Sequence, residues 1–293
     1  MSEREYEDEY YDFWAHQDEY EEDSDSDILD LHINKGTIKR HIFTSKTLSN
    51  KRYIYVYLPP NYFSREYKSY PVLYMHDGNN LFDPNLSFGG VTWKVSETIE
   101  ELVYNNFIEE LIVVGISNTG DRDFEYTWTP MYYGNYREGG GGRKYAKMIV
   151  NELKPFIDKR YRTLPYRETT GVMGSSLGGV ISFYLGLYYP HVFSKIGIMS
   201  PSLWWGNGIL FKHVKEIAPN LDIWLDMGTH EFDEEDEDPE ENIKNVRKFR
   251  DRLIKLGYVE GDNLGYFEHL GAGHNEWYWG ERLHLPLTFF FGQ

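Results

Sequence analysis

Ser176 sits at the centre of Gly174-Ser175-Ser176-Leu177-Gly178, a glycine-flanked serine of the G-x-S-x-G form that can present its hydroxyl as a nucleophile on a sharp turn. The flanking residues supply what such a turn needs. Thr169-Thr170-Gly171-Val172-Met173 reads as a short buried strand, and residues 180–187 read as an apolar helix that stops before Pro190. Glycine is expected on both sides of the serine because a side chain there would collide with the adjoining strand or helix. A hydroxyl needs a neighbouring base to attack an acyl carbon, and the base needs a group that orients it.

Both groups are available downstream. Residues 264–270 read as the last strand, and Gly271-Ala272-Gly273-His274-Asn275 as the loop beyond its end, which places His274 where a general base is required. His269 is the rival, but it lies within the strand. A neutral imidazole can take the serine proton and return it to a leaving group. The strand Ile223-Trp224-Leu225-Asp226-Met227 runs into Gly228-Thr229-His230-Glu231-Phe232-Asp233, so a carboxylate just past its end can orient the histidine. Glu231 is favoured, Asp233 is next, and Asp226, inside the strand, is third. The acidic residues that continue to Glu241 read as a solvated loop, since they lack the glycine and spacing of a calcium site.

Acyl transfer also needs donors for an oxyanion. The N–H of Leu177, at the helix start, is one expected donor. The other is expected from His76-Asp77-Gly78-Asn79-Asn80, the loop after the strand Pro71–Met75, with the N–H of Gly78 preferred and Asn79 as its neighbour.

These residues have to be carried by strands and helices in alternation. Residues 37–43 and 53–58 alternate like half-buried strands and predict an antiparallel opening pair. Residues 71–75, 111–116, 196–199 and 223–227 are nearly continuous apolar runs, as strands covered on both faces require. Residues 145–159 and 242–256 carry apolar residues at helical spacing between them. The expected class is α/β, with a mainly parallel central sheet, an antiparallel N-terminal strand pair and helices on both faces.

Composition sets outer bounds. A 293-residue chain with 41% hydrophobic residues can bury a large core, and one domain over residues 31–293 is expected. There is no cysteine, which excludes disulfides, cysteine-ligated zinc and thiol catalysis. Residues 1–30 hold fourteen carboxylates and one arginine, so they carry most of the net charge of −17. Such a tail repels phosphates and anionic membranes, and neither nucleic acid nor a membrane is expected as a partner. Its aromatics, Tyr6, Tyr10, Tyr11, Phe13, Trp14 and Tyr20, leave a homo-oligomeric or protein contact open beside the reading of a solubilising arm. The N-terminus has no basic start or apolar core, so a cytoplasmic protein without a signal peptide is expected.

The chain resembles the putative-esterase group of α/β-hydrolases, which includes enterobactin-type siderophore esterases, feruloyl esterases and esterase D relatives. The resemblance covers roughly residues 35–290 and rests on Tyr74 to Asp83, Glu152 to Asp158 with Tyr161-Arg162, Met173 to Gly179, Ser200 to Trp205, Gly228 to Glu231, and Gly273-His274-Asn275 with Trp279. It implies a Ser176, His274, Glu231 triad with Gly78 and Leu177 at the oxyanion hole; separately, no cofactor or metal is expected. The long acidic run after Gly228-Thr229 departs from the short polar loop usual in the group. If the loops lie as the resemblance implies, Trp93, Trp204, Trp205, Trp277 and Trp279 ring the site and suit phenolic, catecholate or sugar-linked esters. Arg122 and Arg137 are candidates to hold a substrate carboxylate or phenolate. The expected activity is serine carboxylic-ester hydrolysis through an acyl-enzyme, with a siderophore trilactone or a phenolic or acetyl ester as substrate. An acyltransferase on the same triad, and a binding or assembly protein that uses the acidic tail, are the alternatives.

Overall fold

A computed structural model of the protein describes residues 35–231 and 239–293. The acidic tail and Asp233 lie outside the described residues. Strands β1 (Thr37–Ser45) and β2 (Asn50–Leu58) pair antiparallel across the turn at residues 46–49, with Thr37 opposite Leu58. β3 (Val72–His76) and β4 (Ile112–Ile116) are wholly buried five-residue runs that pair in parallel, and β2 lies antiparallel against β4. A small hairpin of β5 (Met131–Tyr133) and β6 (Tyr136–Glu138) interrupts the long connection that follows. The chain then enters β7 (Thr170–Ser176), β8 (Lys195–Pro201), β9 (Asp222–Gly228) and β10 (Leu264–His269), each parallel to its neighbour. The eight strands run β1-β2-β4-β3-β7-β8-β9-β10 across the sheet.

Because alternate strand residues point to opposite faces, continuous apolar strands must be covered twice. On one face α2 (Gly142–Met148), α3 (Lys154–Arg160), α4 (Leu177–Tyr188) and α5 (Pro239–Lys255) pack Tyr145, Ile157, Ile181 and Phe249 against Tyr74, Val172 and Ile198. A π-helical turn at Ile149–Leu153 joins α2 to α3. On the other face α1 (Val95–Tyr104), α6 (Glu276–Arg282) and α7 (His284–Phe291) set Ile99, Trp279, Leu283 and Leu287 against Leu73, Met75, Met173 and Met199. Burying one such side chain contributes about 1.5–3 kcal/mol, and the two layers hold the sheet as a rigid platform.

The strand order locates the site. From β3 the chain moves to β4 on one side and later returns to β7 on the other, so the connections diverge at the carboxyl ends of β3 and β7. In open α/β sheets that divergence opens a crevice. The loop after β3 begins at Asp77, and β7 ends on Ser176.

Candidate active site

Ser176 closes β7 and caps α4 with φ 58° and ψ −125°, a conformation that a residue with a side chain adopts only under constraint. The pairing of β7 with β8 shifts register between Ser175 and Ser176, from Ser175 opposite Met199 to Ser176 opposite Pro201, which leaves Ser200 as an extra residue on β8. The two flanking glycines are not equivalent. A methyl group on Gly174 would come within 2.9 Å of the Gly178 carbonyl carbon and of the His76 ring, whereas one on Gly178 would meet nothing closer than 3.4 Å. The expected collision on both sides of the serine is therefore corrected to a collision at Gly174 alone. Leu177 opens a twelve-residue helix, where the first N–H groups lack intrahelical acceptors and the helix dipole favours negative charge. The Ser176 hydroxyl lies 3.1 Å from that of Ser202, just beyond β8.

His274 Nδ1 lies 2.8 Å from Glu231 Oε2. A carboxylate only accepts, so Nδ1 carries the proton and the Nε2 lone pair is the basic position. The imidazole side chain is 19% exposed, against 1% for the glutamate, so the histidine can meet a ligand while its partner stays dry. The loop that holds Glu231 fits closely: a methyl group on Gly228 would stand 2.3 Å from the Ala272 carbonyl oxygen. The second carboxylate oxygen of Glu231 accepts from the Gly228 N–H at 2.6 Å, from the Ser200 hydroxyl, and from Arg282 Nη2 at 3.4 Å.

Ser200 is the centre of this support. Its φ of 40° puts it in the left-handed region, and its hydroxyl donates to Glu231 while accepting from Arg282 Nη2 at 2.5 Å and Trp279 Nε1 at 3.0 Å. The one donor and both lone pairs are used. Asp226, the third candidate acid, is engaged elsewhere: it pairs with Arg282 Nε at 3.0 Å and accepts from Trp224 Nε1 at 2.7 Å. Burial pushes the Asp226 carboxyl up, and the Arg282 charge opposes that rise. His269, the rival base, ends β10 with its ring edge-on to Tyr278. Sequence reasoning passed over Arg282 and gave Ser200 and Ser202 no role. The only available signal for Arg282 was its helical spacing from Tyr278, whose carbonyl it also bonds at 3.2 Å.

The loop after β3 is clamped from several sides. Asp77 has φ 53°, and its carboxylate takes Arg122 Nε at 2.8 Å, Arg122 Nη2 at 2.9 Å and Asn118 Nδ2 at 2.8 Å. Burial alone would raise the Asp77 carboxyl; the Arg122 charge and these hydrogen bonds outweigh it and hold the group below the ordinary carboxylate range. Its N–H donates to the Tyr126 hydroxyl at 3.0 Å. Burial pushes the His76 imidazole down to about 3, so this ring stays neutral beside the Tyr145 hydroxyl 3.0 Å away. Gly78 lies so close to β4 that a methyl group would be 2.5 Å from the Gly115 carbonyl carbon and 2.6 Å from the Ile116 nitrogen. A methyl group on Gly178 would sit 3.5 Å from Asp77 Oδ2, so this loop packs directly on the start of α4. The Asn79 side chain is turned into the loop, where its oxygen accepts from the Asn118 N–H at 3.3 Å.

The expected ring of substrate-binding residues is corrected in four places. Trp93 is 1% exposed and packs on Trp279 at 5.6 Å, which makes it core. Trp205 is 3% exposed and donates to the Thr129 carbonyl at 2.8 Å. Arg122 spends its fork on Asp77 and therefore braces the loop. Trp279 is also buried, edge-on to the His274 ring at 4.9 Å. Trp204 and Trp277 remain open at 41% and 50%, and Arg137 is exposed on β6.

Comparison with known proteins gives the family and the fold. The family model described as Putative esterase matches residues 45–289. The chain is 28% identical over 263 residues to the uncharacterized protein YbbA of Bacillus subtilis, covering 88% of this chain and 98% of that one. A solved ferulic acid esterase superposes with a TM-score of 0.66 at 22% identity, over 88% of this chain and 98% of the other. The enterobactin esterase FES of Shigella flexneri, solved in the presence of enterobactin, superposes with a TM-score of 0.68 at 19% identity, over 86% of this chain and 58% of the other. Among the described residues no helix is long and apolar enough to cross a membrane. With a family match that runs from the end of β1 to the last helix, the chain belongs to the putative esterase family and is a carboxylic ester hydrolase.

Proposed function

We propose that the protein cleaves its ester through an acyl-enzyme on Ser176. The observation that carries this reading is the 2.8 Å contact between His274 Nδ1 and Glu231 Oε2, on loops at the same end of the sheet as the serine elbow. His274 Nε2 takes the hydroxyl proton as Ser176 Oγ bonds to the acyl carbon. The N–H groups of Leu177 and Gly78 receive the resulting oxyanion. The ester C–O bond then breaks, and the alcohol leaves with the proton from Nε2. Water repeats the sequence: it gives a proton to Nε2, attacks the acyl carbon, and releases the carboxylic acid as the serine regains its hydrogen. Glu231 holds the ring and offsets the positive charge that it carries in each transition state.

The substrate we propose is an aromatic ester, either a phenolic ester or a catecholate siderophore trilactone. Trp204 lies two residues beyond Ser202 and Trp277 three beyond His274, both exposed, and Lys94 Nζ stands 5.0 Å over the Trp277 ring. Open indole faces beside a cation suit an electron-rich aromatic ring that carries negative charge. The names of the solved ferulic acid and enterobactin esterases support the same two classes.

The test is labelling with a fluorophosphonate, followed by turnover of a p-nitrophenyl ester, a feruloyl ester and a catecholate triester. Labelling is expected at Ser176, and Ser176→Ala should lose about 10⁴-fold or more in kcat. Near-normal turnover by that variant would rule out the acyl-enzyme, and equal kcat/KM for acetyl and aromatic esters would remove the substrate assignment.

A further inference from the structure

Asn80 and Glu276 are two buried polar residues, 5% and 8% exposed, that the catalytic steps do not use. One lies two residues after the oxyanion donor Gly78, and the other two residues after the base His274. Asn80 Nδ2 donates to Glu276 Oε1 at 2.9 Å across a separation of 196 residues. The orientation of the Asn80 amide is set independently, because its oxygen accepts the Phe88 N–H at 3.1 Å and Asn79 Nδ2 at 2.8 Å. Its NH₂ group must therefore face the glutamate. The main chain of Asn80 is fixed as well, since its N–H donates to the Asp77 carbonyl at 2.9 Å and its carbonyl accepts the Trp93 N–H at 3.0 Å. On the other side, Glu276 opens α6 directly after Asn275, whose side chain caps the helix by accepting the Tyr278 N–H.

Resting on the serine-esterase reading, the geometry points to the Asn80–Glu276 hydrogen bond as a positioning strut that sets the oxyanion loop against the catalytic histidine loop. Gly78 and His274 belong to segments almost two hundred residues apart, and each must be placed against Ser176 within a fraction of an ångström for turnover. The Asp77 clamp ties the oxyanion loop to Arg122 and Asn118, and Glu231 ties His274 to β8 and β9. The Asn80–Glu276 bond is a direct side-chain hydrogen bond between the segments that follow Gly78 and His274. The carboxylate suits that role, because burial raises the Glu276 carboxyl, with the Asp77 charge adding to the rise and His274 and Arg122 opposing it, so the group stands electrostatically between both halves of the site. A strut of this kind acts through the placement of Gly78 and His274, so it should affect the transition state more than ground-state binding.

The experiment measures kcat, KM and inhibition by an arylboronic acid, which mimics the tetrahedral state, in the full-length protein. Asn80→Asp sets two carboxylates against each other and should lower kcat about 30- to 100-fold with KM within about threefold. Boronate affinity should fall by the same factor. Adding Glu276→Gln to that variant reverses the bond, with the glutamine amide donating to the new aspartate, and should recover at least about tenfold of the loss. Glu276→Ala should match the Asn80→Asp defect, and Asn80→Ala combined with Glu276→Ala should be no worse than either alone. Failure of the swap to rescue, or losses that multiply in the double alanine variant, would overturn the strut even if one alanine variant failed to fold. An inactive wild-type protein that fluorophosphonate does not label would instead overturn the serine-esterase reading, whatever the variants show.

Discussion

His274 Nδ1 and Glu231 Oε2 are 2.8 Å apart, and the other glutamate oxygen is bonded to Gly228, Ser200 and Arg282, so the carboxylate is immobilised before it orients the ring. Glu231→Gln should keep the shape but allow the amide NH₂ to face Nδ1, which selects the wrong tautomer. The expected fall in kcat is about 10³- to 10⁴-fold with little change in KM. Asp226→Asn, which alters a carboxylate bonded to Arg282 and Trp224, should stay within about tenfold of wild type. A larger loss in Asp226→Asn than in Glu231→Gln would reassign the acid.

Arg282 is 1% exposed at its side chain and stands between Asp226 and Glu231, themselves 0% and 1% exposed. Replacing it with methionine preserves much of the volume but leaves two buried carboxylates without their cation. Breaking a buried pair in this way costs about 3–5 kcal/mol, so Arg282→Met should be strongly destabilised in urea unfolding. A variant within about 1 kcal/mol of wild type would show that the Ser200 hydroxyl and the surrounding N–H groups hold the carboxylates by themselves.

The places of Ser176, Glu231 and His274 at or just beyond the ends of β7, β9 and β10 were legible because a strand end is a defined place in a parallel sheet. The four continuous apolar runs between residues 71 and 227 appear as β3, β4, β8 and β9 within one or two residues of their expected bounds, since strands covered on both faces leave a strong pattern. The last two helices left a weaker one: α6, which carries Trp279 and Arg282, has seven residues, about two turns. α7 has eight residues with Pro286 at its third position, and its apolar residues run all round, so periodicity gives no face. Trp93 and Trp205 were misplaced for a related reason: an indole suits a core and a binding wall equally, and only the packing decides which it joins. The role of Arg122 was hidden because Asp77, its partner, is 45 residues away in sequence. Asp233 falls outside the described residues, and its comparison with Glu231 rests on mutation.

Gly78 and Gly178 give opposite expectations for the same substitution. A methyl group at Gly78 would strike the backbone of Gly115 and Ile116 at 2.5–2.6 Å, and backbone in the middle of a sheet cannot yield cheaply. Gly78→Ala should push the oxyanion loop away from β4 and lower kcat about 10²- to 10³-fold. Gly178 lies in a helix with its nearest foreign atom at 3.4 Å, so Gly178→Ala should keep kcat within about threefold and hold or slightly raise stability. Equal damage from the two substitutions would mean that the elbow is tighter than this geometry.

The Asp77–Arg122 clamp should leave a signature in the pH dependence of stability. The Asp77 carboxyl is held below its ordinary range, so the folded state releases its proton more readily than the unfolded chain does. For a carboxyl shifted in this direction the stabilisation is fully present above the unfolded value of about 3.9 and is lost as pH falls through the lower folded value. Asp77→Asn removes the charge while keeping an oxygen that can accept from Arg122 Nε or Asn118. The stability gap between wild type and Asp77→Asn should therefore be the same at pH 6 and pH 8 and should narrow below about pH 4. Urea unfolding from about pH 3 to pH 8 measures it, with kcat at pH 7 followed in parallel, since a loosened Asp77 also loosens the turn into Gly78. A gap that vanished at neutral pH and widened in acid would have the wrong sign for an ionised Asp77, and the loop would then be held by its other ties, among them the Tyr126 hydroxyl, Asn118 and the Asn80–Glu276 bond.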